Sequence, residues 1–385
     1  MSGILPNGRA GGLTLMDSLT HSLFALTLGR TPLVRAGRGT TTALVLASNA
    51  PDIDIISTAR GSAGYLRWHR GPTHGPIGVV AFGVLTAALV WAIQRYLDRR
   101  SKPPDGQPRA SFGVLVAASM VGVLSHILMD FPTSYGIRLL SPFDWHWFAA
   151  DLMPIVDVYL IAVLAAGLLF GSASQAARRR NAWIVLVLVA ANYGVRAAAR
   201  HEAIALAPRV FGPLLPQPCD PNGVDRSLLV AWPHAVSATP TTGSRCLVEI
   251  AAMPAFLSPF RWRLIARMSN AYEMHDVNVL DARLRRPAEA GEAPWRVTVR
   301  YPNQWNPTVE RAAGAPLAQV FLGFSRFPAA RWIVDERTGV ATVRWTDMRF
   351  AAGATVDQRV GRGSLFTATV QLAPDGRILD ARLGQ

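Results

Sequence analysis

The chain has 385 residues, half of them hydrophobic, and a mean hydropathy of +0.22, which is high for a soluble protein. Its net charge of +14 comes almost entirely from arginines that stand in short clusters between apolar runs. This pattern is typical of membrane proteins with basic cytoplasmic loops and speaks against a nucleic-acid partner. Two cysteines, Cys219 and Cys246, are too few for a disulfide framework and lack the spacing of a zinc ribbon.

The N-terminal region predicts a short helical hairpin. Residues 1–16 are Gly-rich and are expected to form a disordered lead-in. Residues 17–28 (DSLTHSLFALTL) predict a helix with a capping residue at its first or second position. A basic turn separates them from a second apolar segment, residues 40–50, which ends in the PDID turn at residues 51–54. Both segments are shorter than a standard span, so we expect a tight or re-entrant hairpin buried against other helices.

Four longer apolar runs follow, and each predicts a transmembrane helix. The first two cover about residues 71–94 and 110–129 and contain no acidic or basic residue apart from histidine. The other two cover about residues 154–171 and 182–195. The fold expected for residues 17–200 is therefore a membrane-embedded helical bundle of about four spans plus the hairpin.

The pattern changes at about residue 201. Segments such as WRVTVRY, ATVRWTDMRF and FTATVQL alternate at period two and are separated by ERTG and APDG turns. Residues 201–385 therefore predict an antiparallel, β-rich domain. A bridge between Cys219 and Cys246 can form if this domain is extracytoplasmic.

The arginine clusters also predict topology. Basic loops at residues 95–109 and 178–180 are assigned to the cytoplasm. The loop before the first long span, the end of the second and residues 131–153 then lie on the outer side, together with the β-rich domain. If the N-terminal arginines face the cytoplasm, the polar residues of the hairpin join them there. The expected protein is multi-pass, with an extracytoplasmic C-terminal domain.

This topology brings five of the eight histidines and several aspartates to one membrane face. His126 and Asp130 are one helical turn apart and share a helix face. Ionisable residues inside a membrane are costly, which favours a functional role. The predicted metal ligands are His21, Asp54, His69, His74, His126 and Asp130. Candidate general bases are Asp52 and Asp54, and Arg70 is a candidate clamp for a phosphate or carboxylate oxygen.

Imidazole and carboxylate ligands together suit zinc, with manganese as an alternative, in one or two sites. Structural explanations stand beside each assignment, since PDID can be a helix-capping turn and the histidines can be buried or surface residues without a ligand. We assign His146, between two tryptophans, to the interfacial aromatic belt. Asp157, inside a predicted span, is expected to face the bundle and to pair with an arginine or hold a histidine.

The sequences MDSLTHSLFA, PDID, HRGPTH and SHILMDFPTSYG, followed by SPF, resemble the YdjM-like family of bacterial inner-membrane proteins. Its members are described as membrane-bound metal-dependent hydrolases, some of them LexA-regulated. The resemblance covers residues 16–170 and implies that the His and Asp residues named above, with Asp52, are the family's polar positions. It also implies a location in the bacterial inner membrane.

The order of the polar residues is also similar to the zinc-dependent phospholipase C and S1-P1 nuclease group, in which His and Asp zinc ligands occur in this sequence order. That likeness suggests phosphodiester hydrolysis. No second His-x-x-x-His/Glu/Asp pair follows Asp130, so one or two metals are expected here rather than three.

The sequence as a whole favours a membrane-bound metal-dependent hydrolase that acts on a phosphoester or ester. Membrane lipids are the expected partners, and a lipid is a candidate substrate. The alternative is a non-catalytic scaffold or a cation-binding, transport-like bundle that anchors a β-rich partner-binding domain. Few spans and the lack of an inverted repeat speak against transport. The oligomeric state stays open.

Overall fold

The structure is a computed structural model in which the chain divides into two compact units. Met1–Ile56 and Trp68–Arg196 form the helical unit, and Ser57–Arg67 and Ala197–Gln385 form the β-rich unit. The structure describes residues 9–32, 36–100, 108–170, 174–211, 218–219, 229–233, 246–282, 299–351 and 366–384.

The helical unit begins with α1 (Arg9–Gly29) and α2 (Thr40–Ala47), which pack against each other as the predicted hairpin. The prediction of a disordered lead-in is wrong from Arg9 onward, because α1 includes these residues; residues 1–8 lie outside the described ranges. The apolar sequence LTLM continues the pattern of the helix toward its N-terminus. The preceding glycine pair lowers helix propensity by only about 1 kcal/mol per residue.

Short elements follow the hairpin. They are a 3-10 helix (Pro51–Arg60), α3 (Gly61–Trp68) and a 3-10 turn (Pro72–His74). The PDID sequence thus opens a 3-10 helix, and the Gly- and Pro-rich HRGPTH sequence turns sharply before the next helix.

Within the described residues, three helices are long and apolar enough to cross a membrane: α4 (Pro76–Arg100), α5 (Phe112–Asp130) and, later in the chain, a helix at Gln175–Ala205. Between α5 and that helix lie β1 (Trp147–Ala149) and α6 (Val158–Leu169), so the helix at Gln175–Ala205 is α7. The 12 residues of α6 reach about 18 Å, short of the ~30 Å hydrocarbon core. The expectation of four full spans is not confirmed, because α6 begins only after its capping residue Asp157, which accepts from Leu160 N at 2.8 Å.

The most enclosed of the candidate spans is α5, with half of its apolar window buried against 28% for α4 and α7. It packs on both α2 and α4. Gly122 makes the approach to α2 possible, because a Cβ at this position would lie 2.6 Å from Leu44 O. The last turn of α5, which carries His126 and Asp130, therefore faces the interior of the unit.

Arginines hold the opposite ends of these helices. Arg38 and Arg109 both contact the carboxylate of Asp98, at 2.5 Å and 3.1 Å. Arg30 donates to the carbonyl oxygens of Gly167 and Leu168, at 3.0 Å each. These contacts join the turn after α1 to α6 and the turn before α2 to α4.

The β-rich unit confirms the period-two prediction. Its described part contains β2 (Val230–Trp232) and two four-stranded antiparallel sheets with strand orders β3-β4-β5-β6 and β10-β9-β8-β7. In β8, alternate residues from Ala341 to Asp347 are buried. The strands of the two sheets are β3 (Leu247–Pro254), β4 (Arg261–Met268), β5 (Ala271–Asn278), β6 (Val299–Pro302), β7 (Pro328–Val334), β8 (Ala341–Asp347), β9 (Thr367–Leu372) and β10 (Ile378–Leu383).

Helical segments complete the β-rich unit. They are the end of α7 from Ala197, α8 (Ala207–Val210), Pro307–Ala313, Pro316–Phe324 and the 3-10 turn Met348–Phe350. Buried residues of α7 and α8 pack with those of β3, β4 and β5 in one core. Cys219 and Cys246 form a disulfide, as the sequence allowed.

Candidate metal centre

Four side chains that can ligate a metal meet where α4 begins and α5 ends. Asp52 comes from the 3-10 helix, His74 from the turn before α4, and His126 and Asp130 from the last turn of α5. One ligand atom of each lies within 4.8 Å of the others. Three of the side chains are fully buried, and Asp52 is 14% exposed.

The distances within this group match a single coordination shell. His126 Nε2 lies 3.1 Å from His74 Nε2 and 3.5 Å from both Asp52 Oδ1 and Asp130 Oδ2. His74 Nε2 lies 3.5 Å from Asp130 Oδ2 and 4.0 Å from Asp52 Oδ1. Ligands about 2.0–2.1 Å from a tetrahedral zinc ion are about 3.3 Å apart. The four atoms therefore already stand at the separations that one bound ion requires.

Hydrogen bonds on the far sides of the rings turn both Nε2 atoms toward the group. His126 Nδ1 donates to the carbonyl oxygen of Ser48 at 2.8 Å. His74 Nδ1 donates to Thr73 Oγ1 at 2.9 Å, and that hydroxyl donates onward to Asp54 Oδ2 at 2.7 Å. A ring that donates through Nδ1 keeps Nε2 for a ligand. This arrangement is the one found behind histidines that bind metals.

Asp54 lies behind the group and organises the loop. Its Oδ1 accepts from His69 Nδ1 at 2.7 Å, and its Oδ2 also accepts from the backbone N–H of Arg70 at 2.8 Å. Burial alone would raise the pKa of Asp54, but hydrogen bonds from His69 and His74 outweigh it and hold the pKa well below its usual range. Asp54 is therefore an ionised acceptor that positions two histidines.

Arg70 is buried against Asp130. Its Nε lies 3.0 Å from Asp130 Oδ2, and its Nη1 donates to Thr133 Oγ1 at 3.1 Å. The guanidinium also lies 5.0 Å from the centre of the Tyr135 ring. Arg70 itself has a positive φ of 54°, a strained backbone conformation that the surrounding contacts maintain. These contacts orient Asp130 and offset part of its charge.

The electrostatics favour a cation. Three carboxylates (Asp52, Asp54 and Asp130) and one guanidinium (Arg70) leave two negative charges when the histidines are neutral. Burial raises the pKa of Asp52 to about 6, and the neighbouring Asp130 adds to this effect. Burial lowers the pKa of His74, but Asp130 and Asp54 reverse the effect and raise it to about 9. The same negative charge that holds a proton on His74 attracts a divalent cation.

Two further predicted residues flank the group. The ring of His21 stacks on that of His126 at 4.0 Å, and its Nε2 lies 3.4 Å from Asp130 Oδ1. The ring of His69 packs edge-on against Tyr135 at 5.8 Å. Both imidazoles enclose the group from the side.

All the predicted site residues thus lie in one cluster, but their arrangement differs from the predicted ligand list. The geometry places Asp52 in the metal-binding group and puts Asp54, His21 and His69 around it. Asp52 and Asp54 are both near His74, but only Asp52 reaches its Nε2.

Sequence reasoning missed several contributors. Thr73 stands within the HRGPTH motif and relays a hydrogen bond, so the motif itself contained its signal. Ser48 acts through its backbone carbonyl, which leaves no mark in the sequence.

Two other polar residues lie as expected. His146 is 53% exposed and contacts Asp144 at 2.5 Å, outside the cluster. Asp157 pairs with Arg196 in α7, the first of the two partners predicted for it.

Comparisons with known proteins support the membrane region. A family model described as YdjM inner membrane protein matches residues 16–203. The uncharacterized protein YfhP of Bacillus subtilis (strain 168) is 26% identical over 182 residues, which is 45% of this chain and 52% of the relative. The chain therefore spans about half the length of that curated relative.

No solved structure matches the chain. The likeness to zinc-dependent phospholipase C and S1-P1 nucleases gains no support from these comparisons. The motifs around the cluster, by contrast, fall inside the matched range. Residues 16–203 form a membrane region of the YdjM inner membrane protein family, which confirms the predicted resemblance.

Proposed function

We propose that this protein is a membrane-bound, metal-dependent hydrolase of phosphoesters or esters. The observation that carries the proposal is the spacing of Asp52, His74, His126 and Asp130, whose ligand atoms stand 3.1–4.0 Å apart for the five pairs given above. They are buried in a pocket of net negative charge. Buried charges of this kind are normally paired or bound to a metal.

A zinc or manganese ion bound there supplies Lewis acidity, which activates water as a nucleophile and polarises an ester or phosphoester oxygen. The residues of the chain hold and orient the reactants. Asp52 Oδ2 is buried and has no hydrogen-bond partner among the described residues, so it is the proposed acceptor for the proton of the attacking water. Asp54 and Arg70 act as positioning residues through His74 and Asp130.

We further propose that the centre and the β-rich unit face the outside of the inner membrane. The Cys219–Cys246 disulfide supports this orientation, since such bonds persist in oxidising compartments. The arginines at residues 95–100 and 178–180 lie at the ends of α4 and α7 that the positive-inside rule assigns to the cytoplasm.

The alternative proposal is a cation-binding bundle without hydrolysis. The burial of the group favours it, because only Asp52 has measurable exposure among the four ligands. This alternative predicts bound metal without turnover of any ester.

Metal content and turnover test both proposals. The full chain is purified in detergent and measured by elemental analysis as wild type, His126→Ala and His146→Ala. We expect about one equivalent of zinc or manganese in wild type and in the His146→Ala control, and at least a tenfold loss in His126→Ala. Turnover of 4-nitrophenyl esters, 4-nitrophenyl phosphodiesters or lipid extracts should follow metal content. Metal without turnover leaves the cation-binding alternative, and no metal after reconstitution overturns both.

A further inference from the structure

Exposed apolar side chains surround the segments that carry the metal-binding group. They belong to the 3-10 helix, to the residue before His69 and to the loop after α5. Their exposed fractions run from 37% to 78%, although large apolar side chains are normally buried. We call these residues the apolar rim: Ile53, Ile56, Trp68, Leu140, Phe143 and Trp145.

The rim is fixed to the centre by chain connectivity and direct contacts. Ile53 stands between Asp52 and Asp54, and Trp68 directly precedes His69. The rings of Trp68 and Trp145 pack edge to face at 5.6 Å. The 3-10 helix and the loop after α5 are therefore both at the edge of the same site.

Backbone contacts hold the loop after α5 against the HRGPTH loop. Arg138 N donates to the carbonyl oxygen of Arg70 at 2.9 Å. Gly75 lies so close to Ser141 O that a Cβ would overlap it. Phe143 N donates to Leu140 O at 3.0 Å, so the turn presents Phe143 at its surface.

The rim continues the apolar surface of the candidate spans. Ile77 and Val80 of α4 and Leu124 and Leu128 of α5 are 46–67% exposed. The group itself sits where these helices end, since α4 begins two residues after His74 and α5 ends at Asp130. The site therefore lies at the level of the boundary between acyl chains and headgroups. Tryptophans such as Trp68 and Trp145 are typical of that boundary.

The chemistry of the rim matches an acyl chain rather than a soluble substrate. None of its six side chains is charged, whereas a site for a free phosphate ester would present basic or hydrogen-bonding groups. Behind the rim, the centre offers the ligands for hydrolysis. An amphiphile can satisfy both regions, with its chain on the rim and its ester at the centre.

We propose that the apolar rim binds the acyl chain of a membrane lipid and thereby delivers the lipid's ester or phosphoester to the metal centre. This inference rests on the proposed hydrolase function. In the reaction, the oxygen of water bonds to the carbonyl carbon or phosphorus. The ester oxygen leaves and takes up a proton, so that no further reactant is required.

A chain-length series tests the rim through kinetics. The full chain is held in amphipol, so that no micelle sequesters substrate, and is assayed with 4-nitrophenyl alkyl phosphodiesters and 4-nitrophenyl alkanoates of two to twelve carbons. In wild type, KM should fall by up to about fourfold for each methylene that the rim buries, with little change in kcat. Ile56→Ser should raise KM at least tenfold for the longest chains and leave the two-carbon substrates unchanged. Leu85→Ser in α4 is the matched control, because Leu85 is 63% exposed and Ile56 is 62% exposed.

A second readout does not depend on turnover. A phosphatidylglycerol with a diazirine at the end of one acyl chain is photolysed with wild type, Ile56→Ser and Leu85→Ser. We expect saturable labelling of rim residues that unlabelled lipid displaces, and reduced labelling in Ile56→Ser alone. Labelling without turnover of any substrate would overturn the hydrolase proposal and leave the lipid site. Turnover that is independent of chain length, without saturable labelling, would overturn the rim proposal and leave the hydrolase.

Discussion

His126 Nδ1 lies 2.8 Å from the carbonyl oxygen of Ser48, the residue that ends α2. A predicted metal ligand in the longest-buried span is thus oriented by the short N-terminal hairpin. Because the bond uses a backbone carbonyl, its geometry depends on where α2 ends and on how closely α2 approaches α5. The hairpin is therefore part of the metal centre and not only a membrane anchor.

The close approach of α2 and α5 gives the first prediction. Gly122→Ala should reduce bound metal severalfold and destabilise the helical unit, because its Cβ would meet Leu44 O at 2.6 Å and force α2 away. Gly113→Ala on the same helix is the control, since a Cβ there meets nothing within 4 Å. Elemental analysis and thermal unfolding in detergent report the two effects. Equal behaviour of the two variants would contradict the role of this contact.

Asp54 gives the second prediction. Asp54→Asn removes a carboxylate that accepts hydrogen bonds from His69 and Thr73 but leaves the four proposed ligands intact. Loss of such an outer partner typically weakens metal affinity about 10–100-fold. Isothermal titration of the metal-stripped protein with zinc measures the change. Asp144→Asn, at an exposed pair outside the cluster, should titrate like wild type.

Should Asp54→Asn instead abolish binding as completely as His126→Ala, Asp54 would be a direct ligand, as the sequence predicted. Unchanged affinity would show that the loop holds His74 without it.

Arg70 gives the third prediction. Arg70→Met leaves Asp130 buried without its cationic partner, and breaking a buried pair from one side costs about 3–5 kcal/mol of unfolding free energy. Zinc should recover much of this loss in Arg70→Met, because a bound cation replaces the missing charge. Denaturation in mixed micelles with and without zinc measures both terms. Arg377→Met, at an exposed pair with Asp375, should change little.

The orientation of the β-rich unit gives the fourth prediction. Alkaline phosphatase fused after the last residue should be active in a bacterial host, and a fluorescent protein that matures only in the cytoplasm should stay dark. Thiol labelling after denaturation should find Cys219 and Cys246 blocked until a reductant is added. A bright fluorescent fusion with free thiols would place this unit in the cytoplasm and reverse the proposed topology.

The cluster could be predicted from the sequence because its members are polar residues in apolar surroundings. His126 and Asp130 stand out at the end of a run without charge, and HRGPTH places two histidines in a constrained loop. The division of labour between Asp52 and Asp54 could not be predicted. It depends on the 3-10 geometry of the PDID segment, which turns only Asp52 toward the Nε2 atoms.

The fold shows the same division. Alternation predicted β8, where burial follows period two, but hydropathy alone overestimated the length of α6. The helices Pro307–Ala313 and Pro316–Phe324 escaped notice inside the strand-rich pattern. Their signals were local: Asn306 caps the first through Val309 N at 2.9 Å, and each begins with proline.

The distribution of the centre along the chain has a consequence for biogenesis. The hydrogen-bonding carbonyl comes from Ser48 and the last ligand from Asp130, so no early part of the nascent chain can complete the site. The ribosome must finish α5, and the membrane must accept it beside α2, before all four ligands coexist. Metal acquisition is therefore a late maturation step, drawn from the ion pool of the compartment into which the end of α5 emerges.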